Sequence, residues 1–269
     1  MTRSTNPAAN TASTGVLNKL LCASVLGALG LMAGAAHAAT VTFDGVQNVV
    51  TPQLAAGDTA YNTGDAFTAN GFTFRTNNGP GVDAGETGGV GAIFDSANPT
   101  NCTILECPSG ADGLYFAGLN DGALNITNTF ITPNVAGFRL AGLHYSFVAP
   151  VGNLANGSYG QLVLTGTTQA GTTLTSSLDF AGQDGTGRFS FASAGADDAF
   201  GGTILTSLSI NACLFDDSGA CSTERSFTQN QAQFALDDLV LNEVPEPASV
   251  ALMLLGLAGL GSVSRRRRN

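Results

Sequence analysis

The chain has 269 residues, 43% of them hydrophobic and only 11% charged, with a formal net charge of −10. Its shortage of basic residues excludes nucleic acid and anionic membrane surfaces as partners of the body, and its apolar content excludes an acidic disordered tail. Thirty-five glycines, nine prolines and no tryptophan, with many Thr, Ser and Asn, exclude a Leu- and Glu-rich helical bundle and point to short strands joined by turns.

At the N-terminus, Arg3 and Lys19 precede an apolar stretch from Leu20 to Ala36, and Ala36-His37-Ala38 supplies the small residues that signal peptidase reads. A signal peptide over residues 1–38 is expected, with the mature chain beginning at Ala39. Glycines within the apolar run and the Ala-x-Ala ending separate it from a permanent first anchor. Cys22 follows Lys19-Leu20-Leu21, which lacks the small residue of a lipoprotein signal.

The stretch from Ala39 to Glu243 reads as one all-β domain, long enough to enclose its own core. Thr40 to Asp44 opens it as a strand. Phe72 and Phe74 then alternate with Thr73 and Arg75, and Phe138, Leu140, Leu143, Tyr145 and Phe147 form a longer strand whose phase changes at Gly142, as at a bulge. Leu174, Leu178 and Phe180 share one face, Phe189 and Phe191 another, and Ile204, Leu208 and Ile210 a third. Turn signals separate these runs at Asn70-Gly71, Asn120-Asp121-Gly122, Pro150 to Gly152, Asn156-Gly157, Asp184-Gly185 and Gly201-Gly202. About ten strands at this spacing predict an antiparallel two-sheet sandwich, and the absence of a regular period argues against a solenoid.

Four cysteines remain after leader removal: Cys102, Cys107, Cys213 and Cys221. An even number in an exported chain predicts disulfides. Of the three pairings, two local bridges are favoured, Cys102 with Cys107 and Cys213 with Cys221. Neither spacing suits zinc, and His144 is the only histidine of the body. The body carries four arginines, Arg75, Arg139, Arg188 and Arg225, and no lysine, against every acidic residue of the chain except Glu246. This surface suits solubility outside the cell, or divalent cations bridging it to acidic polysaccharide.

The closing strand, Phe234-Ala235-Leu236-Asp237-Asp238-Leu239-Val240-Leu241, carries an Asp-Asp pair within an apolar run. It resembles the last strand of galactose-binding-like, carbohydrate-binding jelly rolls. That resemblance implies a jelly roll whose first and last strands pair, and a structural calcium site at Asp237 with Asp44 and backbone carbonyls as partners. Strict alternation puts Asp238 on the face of Phe234 and Leu236, and Asp237 with Leu239 and Leu241, so one carboxylate is expected to point inward. It then needs a cation, backbone hydrogen bonds or a bulge that turns it to solvent.

The C-terminus orders three features: Pro245-Glu246-Pro247, an apolar segment from Val250 to Val263, and Arg265-Arg266-Arg267-Arg268 before Asn269. Prolines end the preceding strand, the apolar segment can enter a bilayer, and the arginines stay on the cytoplasmic side. Ala248 to Ser264 gives about 26 Å of helix, barely enough for a hydrocarbon core of about 30 Å, which suits transient anchoring. These residues resemble the PEP-CTERM sorting signal of exported Gram-negative proteins, a segment also labelled the C-terminal domain of ice-binding proteins. The resemblance implies cleavage by an exosortase near Pro245-Glu246-Pro247 and delivery to the outer surface or extracellular matrix, after transient anchoring in the inner membrane. Signal peptidase and exosortase are the implied processing partners, and the boundaries become 1–38 leader, 39–243 body and 244–269 sorting segment.

Catalysis has little support. His144 lies among Leu143, Tyr145 and Phe147 and reads as strand packing. No nucleophile elbow, phosphate loop or His-Glu-x-x-His motif is present. Asp197-Asp198 and Asp216-Asp217 read as solvated loop acids, and adjacent strand residues make poor dyads because they point to opposite faces. Carbohydrate recognition would draw on Tyr61, Tyr115, Tyr145 and Tyr159, since tryptophan is absent. Ice recognition would need a flat threonine array, whereas Thr127 with Thr129, Thr165 with Thr167 and Thr173 with Thr175 look like isolated pairs. The expected function is a non-catalytic matrix or surface protein associated with exopolysaccharide or biofilm. A jelly-roll carbohydrate-binding module and a carboxylate-based glycan-degrading enzyme are the alternatives. No cofactor beyond structural calcium is expected.

Overall fold

The computed structural model describes residues 38–44, 46, 59–82, 85, 88–97, 106–129, 135–195, 198–222 and 232–245. The expected leader, Cys102, Glu246, Pro247, the apolar tail and the four terminal arginines lie outside the described residues. No helix among those described is long and apolar enough to cross a membrane.

The strands are β1 (Ala38–Val41), β2 (Thr59–Asn62), β3 (Ala66–Ala69), β4 (Phe72–Asn78), β5 (Gly89–Asp95), β6 (Leu114–Gly118), β7 (Gly122–Asn128) and β8 (Val135–Phe147). They continue as β9 (Gly160–Thr168), β10 (Thr173–Asp179), β11 (Ala192–Gly195), β12 (Leu205–Phe215), β13 (Cys221–Ser222) and β14 (Phe234–Pro245), with one helical turn, α1 (Asp198–Gly201).

Among the described residues the named strands pair antiparallel throughout. One sheet runs β2-β5-β6-β14-β8, with β1 also on β14 and β11 on β8. The other runs β3-β4-β7-β12-β9-β10, with β13 as a short hairpin partner of β12. The chain passes repeatedly from one sheet to the other, as in a jelly roll, and the pair Leu205–Phe138 joins the sheets at one corner. First and last strands pair, Val41 opposite Leu239.

Alternation explains the core. Phe72 and Phe74 of β4, Leu162 and Leu164 of β9, and Leu208 and Ile210 of β12 face Phe116 of β6, Tyr145 and Phe147 of β8, and Leu236 of β14 in one apolar cluster. Phe67 lies 6.2 Å from Phe116, and Phe72 lies 5.4 Å edge-on from Phe138, so aromatic side chains link the sheets. Phe43 lies just past β1 in the left-handed region (φ 61°), which ends the opening strand at Val41 and drops its ring among Phe67, Phe74 and Phe116.

A smaller apolar cluster lies on the other face of the first sheet. Ala92, Phe94, Tyr115, Ala117 and Ala235 are covered there by Cys107 and Phe191. The segment from Glu106 to Gly113 crosses this face as a strap, bridging to Ala149 and Ser190. Arg188 clamps it, donating from Nε and Nη2 to the Cys107 carbonyl at 3.0 and 2.8 Å. Asp184 accepts from the Ser109 hydroxyl at 2.5 Å. Phe189 and Phe191, expected as a strand, instead flank the isolated bridge of Ser190 in this strap system.

Cys213 and Cys221 form the predicted disulfide, with Cα atoms 5.6 Å apart. Cys107 is also disulfide-bonded, and its predicted partner Cys102 lies outside the described residues.

Candidate functional site

The site grows out of a defect in one ladder. β14 and β8 pair from Phe234–Phe147 to Asp237–His144, and the register then shifts because Asp238 and Leu239 together oppose Leu143. Asp238 takes a left-handed conformation (φ 47°), as the extra residue of a bulge does. After Val240–Gly142 the register shifts back, the extra residue now being Ala141 on β8. The bulge expected at Gly142 is therefore present, and it is matched by an opposed bulge on β14 that leaves the two strands in their starting register.

This pair of bulges corrects the expected position of the Asp-Asp pair. Leu236, Leu239 and Leu241 all face the core, while Asp237 and Asp238 between them both leave it. Strict alternation fails because the bulge inserts one residue, so neither carboxylate points between the sheets. Their environments differ sharply. Asp238 is 40% exposed and accepts a 3.2 Å contact from Nδ1 of His144, itself 43% exposed. Asp237 is only 3% exposed, buried in the first sheet's outer face.

Burial pushes the Asp237 carboxyl up to about 7. The backbone N–H groups of Asp238, at 2.8 Å, and of Asp112 donate to it and oppose that rise, whereas the negative charges of Asp238 and Asp44 add to it. Asp44 is exposed and accepts the Leu114 backbone N–H at 2.9 Å. The structure thus brings Asp44 and Asp237, named from the sequence, into electrostatic contact. A hard cation such as calcium fits this site in charge, because it would neutralise a buried carboxylate among like-charged neighbours. Among the described residues no group of three or more His, Cys, Asp or Glu side chains is placed to hold a metal, so carbonyl and water oxygens would have to complete the shell.

Beside the bulge lies a groove of about 360 Å³, lined by Thr40, Gly142, His144, Ser193, Gly195 and Asp238 among others. Ser193 of β11 is the cross-strand partner of His144, and Asp238 reaches the imidazole from β14 on the opposite side. Hydroxyl, imidazole and carboxylate therefore share one concave surface. The sequence placed His144 in strand packing. It lies instead on the face opposite Leu143 and Tyr145, because the strand alternates.

The other candidates separate. Tyr61, Tyr115 and Tyr145 are buried and Tyr159 is half-buried, stacked on Phe147 at 5.8 Å, so none offers an exposed sugar platform. Asp216 caps its own loop: its Oδ1 accepts from the Ser218 hydroxyl at 2.6 Å, the Ser218 N–H at 2.8 Å and the Ala220 N–H at 3.0 Å. Those bonds, led by the Ser218 hydroxyl, lower its pKa, the wrong direction for a general acid. Asp197 lies outside the described residues.

The threonine pairs are not isolated. Arg75, Asn125, Ser209, Thr165 and Thr175 form one cross-strand row on the outer face of the second sheet. Beside it, on one side, lie Thr68–Thr73–Thr127 and Ser207–Thr167–Thr173.

Comparison with known proteins adds the tail. The model of the PEP-CTERM protein-sorting motif matches residues 243–268. No curated protein matches the chain. Among solved structures, the chain is similar to a family 61 carbohydrate-binding module in complex with β-1,4-galactotriose, at 11% identity and TM-score 0.30, covering 64% of this chain and 88% of that one. It is also similar to the family 11 module of a cellulosomal cellulase of Clostridium thermocellum, at 9% identity and TM-score 0.29, covering 79% and 96%. An agarase follows at 10% identity and TM-score 0.26, covering 56% and 24%. Similarities this distant assign no ligand. The chain carries a PEP-CTERM sorting signal behind a jelly-roll-like β-sandwich.

The burial of Asp237 makes a pH prediction. Its folded carboxyl titrates near 7 against an ordinary value of 3.8, so between these limits the folded state holds a proton that the unfolded state has released. Stability should therefore fall as pH rises from about 4 to 7 in chelator, and Asp237→Asn should remove that part of the slope. Thermal melts across this range test it; an identical slope in the variant would contradict it.

Proposed function

We propose that the protein is an exported surface or matrix component of a Gram-negative bacterium. Its tail holds it at the inner membrane until an exosortase cuts near Pro245-Glu246-Pro247, and its body serves exopolysaccharide or biofilm without catalysing a reaction. The observation that carries this reading is the sorting-motif match over residues 243–268, which begins within the last strand of the sandwich. Leader, Pro-Glu-Pro triplet, short apolar segment and arginine stop then act in chain order: export, recognition, transient anchoring and arrest. Replacing Pro245, Glu246 and Pro247 with alanine should leave the protein in the cell envelope, measured by fractionation and immunoblot. Release equal to wild type would refute the reading.

A second reading, carbohydrate binding by the body, is favoured by the groove beside the bulge. Concave sites with a few convergent polar groups suit small polar ligands. Asp238 can accept from neighbouring sugar hydroxyls, with His144 and Ser193 completing the hydrogen bonds. The net negative charge favours a neutral polysaccharide. In affinity electrophoresis against neutral polysaccharides, wild type should be retarded by at least one and Asp238→Asn by none. No retardation of wild type across the panel, or equal retardation of both proteins, would remove this reading.

Structural calcium at Asp44 and Asp237 accompanies either reading. In the melts described above, calcium at a hundredfold excess over its dissociation constant should stabilise by about 2.7 kcal/mol, raising Tm at neutral pH by roughly 5–10 °C. Unchanged melts with calcium and with chelator would exclude it.

A further inference from the structure

β10 lies at the edge of the second sheet, and among the described residues β9 is its one partner strand. The other described strands with a single partner, β1, β2, β3, β11 and β13, have four residues or fewer, whereas β10 has seven. Its register with β9 runs without a shift from Thr173–Thr167 to Asp179–Gln161. Bonds at its two ends fix which backbone groups face β9: the Phe180 N–H donates to the Gly160 carbonyl at 3.0 Å, and the Thr168 N–H to the Thr172 carbonyl at 2.9 Å. Hydrogen-bonded pairs recur at every second residue of an antiparallel ladder, so Leu174, Ser176 and Leu178 bond to β9. Thr173, Thr175, Ser177 and Asp179 therefore turn their N–H and C=O groups to the open edge. The Asp179 carbonyl accepts the Tyr145 hydroxyl there at 2.9 Å, which marks the same outward direction independently.

Edge strands are normally blunted by lysine, proline or a bulge. β10 has none of these, and Asp179, its last residue, is its only charge. The strand is also complementary to its own reverse. A twofold axis through Ser176 sets Thr175 of each copy opposite Ser177 of the other, Leu174 opposite Leu178, and Thr173 opposite Asp179. The hydrogen-bonded pairs then fall on the outward residues. Thr175 and Ser177 exchange both their bonds, and the Asp179 N–H donates to the Thr173 carbonyl, so the carbonyl held by Tyr145 is not needed. Leu174 and Leu178, half-buried against the core, cover each other across the join. The two Asp179 carboxylates stand about 20 Å apart at ~3.4 Å per residue, beyond a screening length of about 8–10 Å. In-register parallel pairing would instead set them about 5 Å apart.

We propose that β10 is a self-pairing edge: two copies of this chain join antiparallel through Thr173–Asp179, and the second sheet of one sandwich continues into that of the other. The partner is a second copy because hydrogen bonding, side-chain fit and charge separation all close on the one axis at Ser176. A chain of formal net charge −10 meets its copy along a strand almost free of charge, which keeps repulsion at the join low. The polar row that ends at Thr175 continues onto Ser177 of the second copy, widening that outer face. A single seven-residue pair buries little area, so the dimer forms where copies are concentrated, as at a surface or in a matrix. This join goes beyond the sorting reading and depends neither on the tail nor on the groove, which lies on the other sheet.

Sedimentation equilibrium of the purified full chain in non-ionic detergent tests the join, together with cysteine cross-linking. Wild type should pass from monomer to dimer as its concentration rises. Thr175→Pro removes an outward N–H and leaves the bonds to β9 in place, a substitution that edge strands tolerate. It should weaken dimerisation at least tenfold while keeping a cooperative thermal melt. Cross-linking decides independently of that variant's fold. Ser176→Cys faces its own counterpart in a pair that is not hydrogen-bonded, with Cα atoms about 4.5 Å apart, close enough for a disulfide. Under mild oxidation it should form linked dimer at least tenfold faster than Thr173→Cys, which faces Asp179 of the other copy. Three results would each overturn the proposal: wild type that stays monomeric at every concentration, a folded Thr175→Pro that dimerises as tightly as wild type, or equal cross-linking of the two cysteine variants.

Discussion

The pair of opposed bulges in the β14–β8 ladder is the constraint on which the other features depend. One extra residue on each strand, Asp238–Leu239 opposite Leu143 and then Ala141 against its neighbours, lets β14 change its outward residues without changing register with β8. Before the bulge β14 lies between β6 and β8; after it, between β1 and β8. A regular strand would put one of two adjacent carboxylates into the core, at a cost of several kcal/mol without a partner. The bulge turns both out, and pairs the exposed one with His144.

The same defect divides the first sheet's outer face. Toward β5 and β6 that face is dry, because the strap from Glu106 to Gly113 lies on it, held by the Arg188 clamp and the Asp184–Ser109 bond. Toward β11 it is open and polar. Asp237 lies at the boundary, buried on one side and facing the charges of Asp44 and Asp238. That position explains how a carboxylate held by two backbone N–H groups can still have a raised pKa: desolvation and like charge together exceed the hydrogen bonds.

Much of this was legible in the sequence, and the limits have physical causes. The phase change from Phe138 and Leu140 to Leu143, Tyr145 and Phe147 reveals its bulge because large apolar residues mark both sides of it. The bulge on β14 could be read only as one of three ways to place the carboxylate, because an aspartate occupies the left-handed position, where glycine would have marked it. β11, Ala-Ser-Ala-Gly, has no apolar alternation to read, so the approach of Ser193 to His144 could not be foreseen. Among the described residues fourteen strands stand where about ten were expected, because β2, β3, β11 and β13 are four residues or fewer and their pattern is too short to register. The local Cys213–Cys221 bridge was readable from spacing, whereas the alignment of the threonine pairs depends on register between distant strands.

Export and architecture meet on the final strand. Among the described residues the first strand pairs with the last alone, and the sorting-motif match begins within that last strand. Residue-resolved amide hydrogen exchange tests this central role of β14 most directly. The account requires Leu239 and Leu241 to exchange only through global unfolding, with protection equal to the slowest amides of β8. Exchange of those amides through a cheaper local opening, faster than that of the edge strand β10, would contradict it.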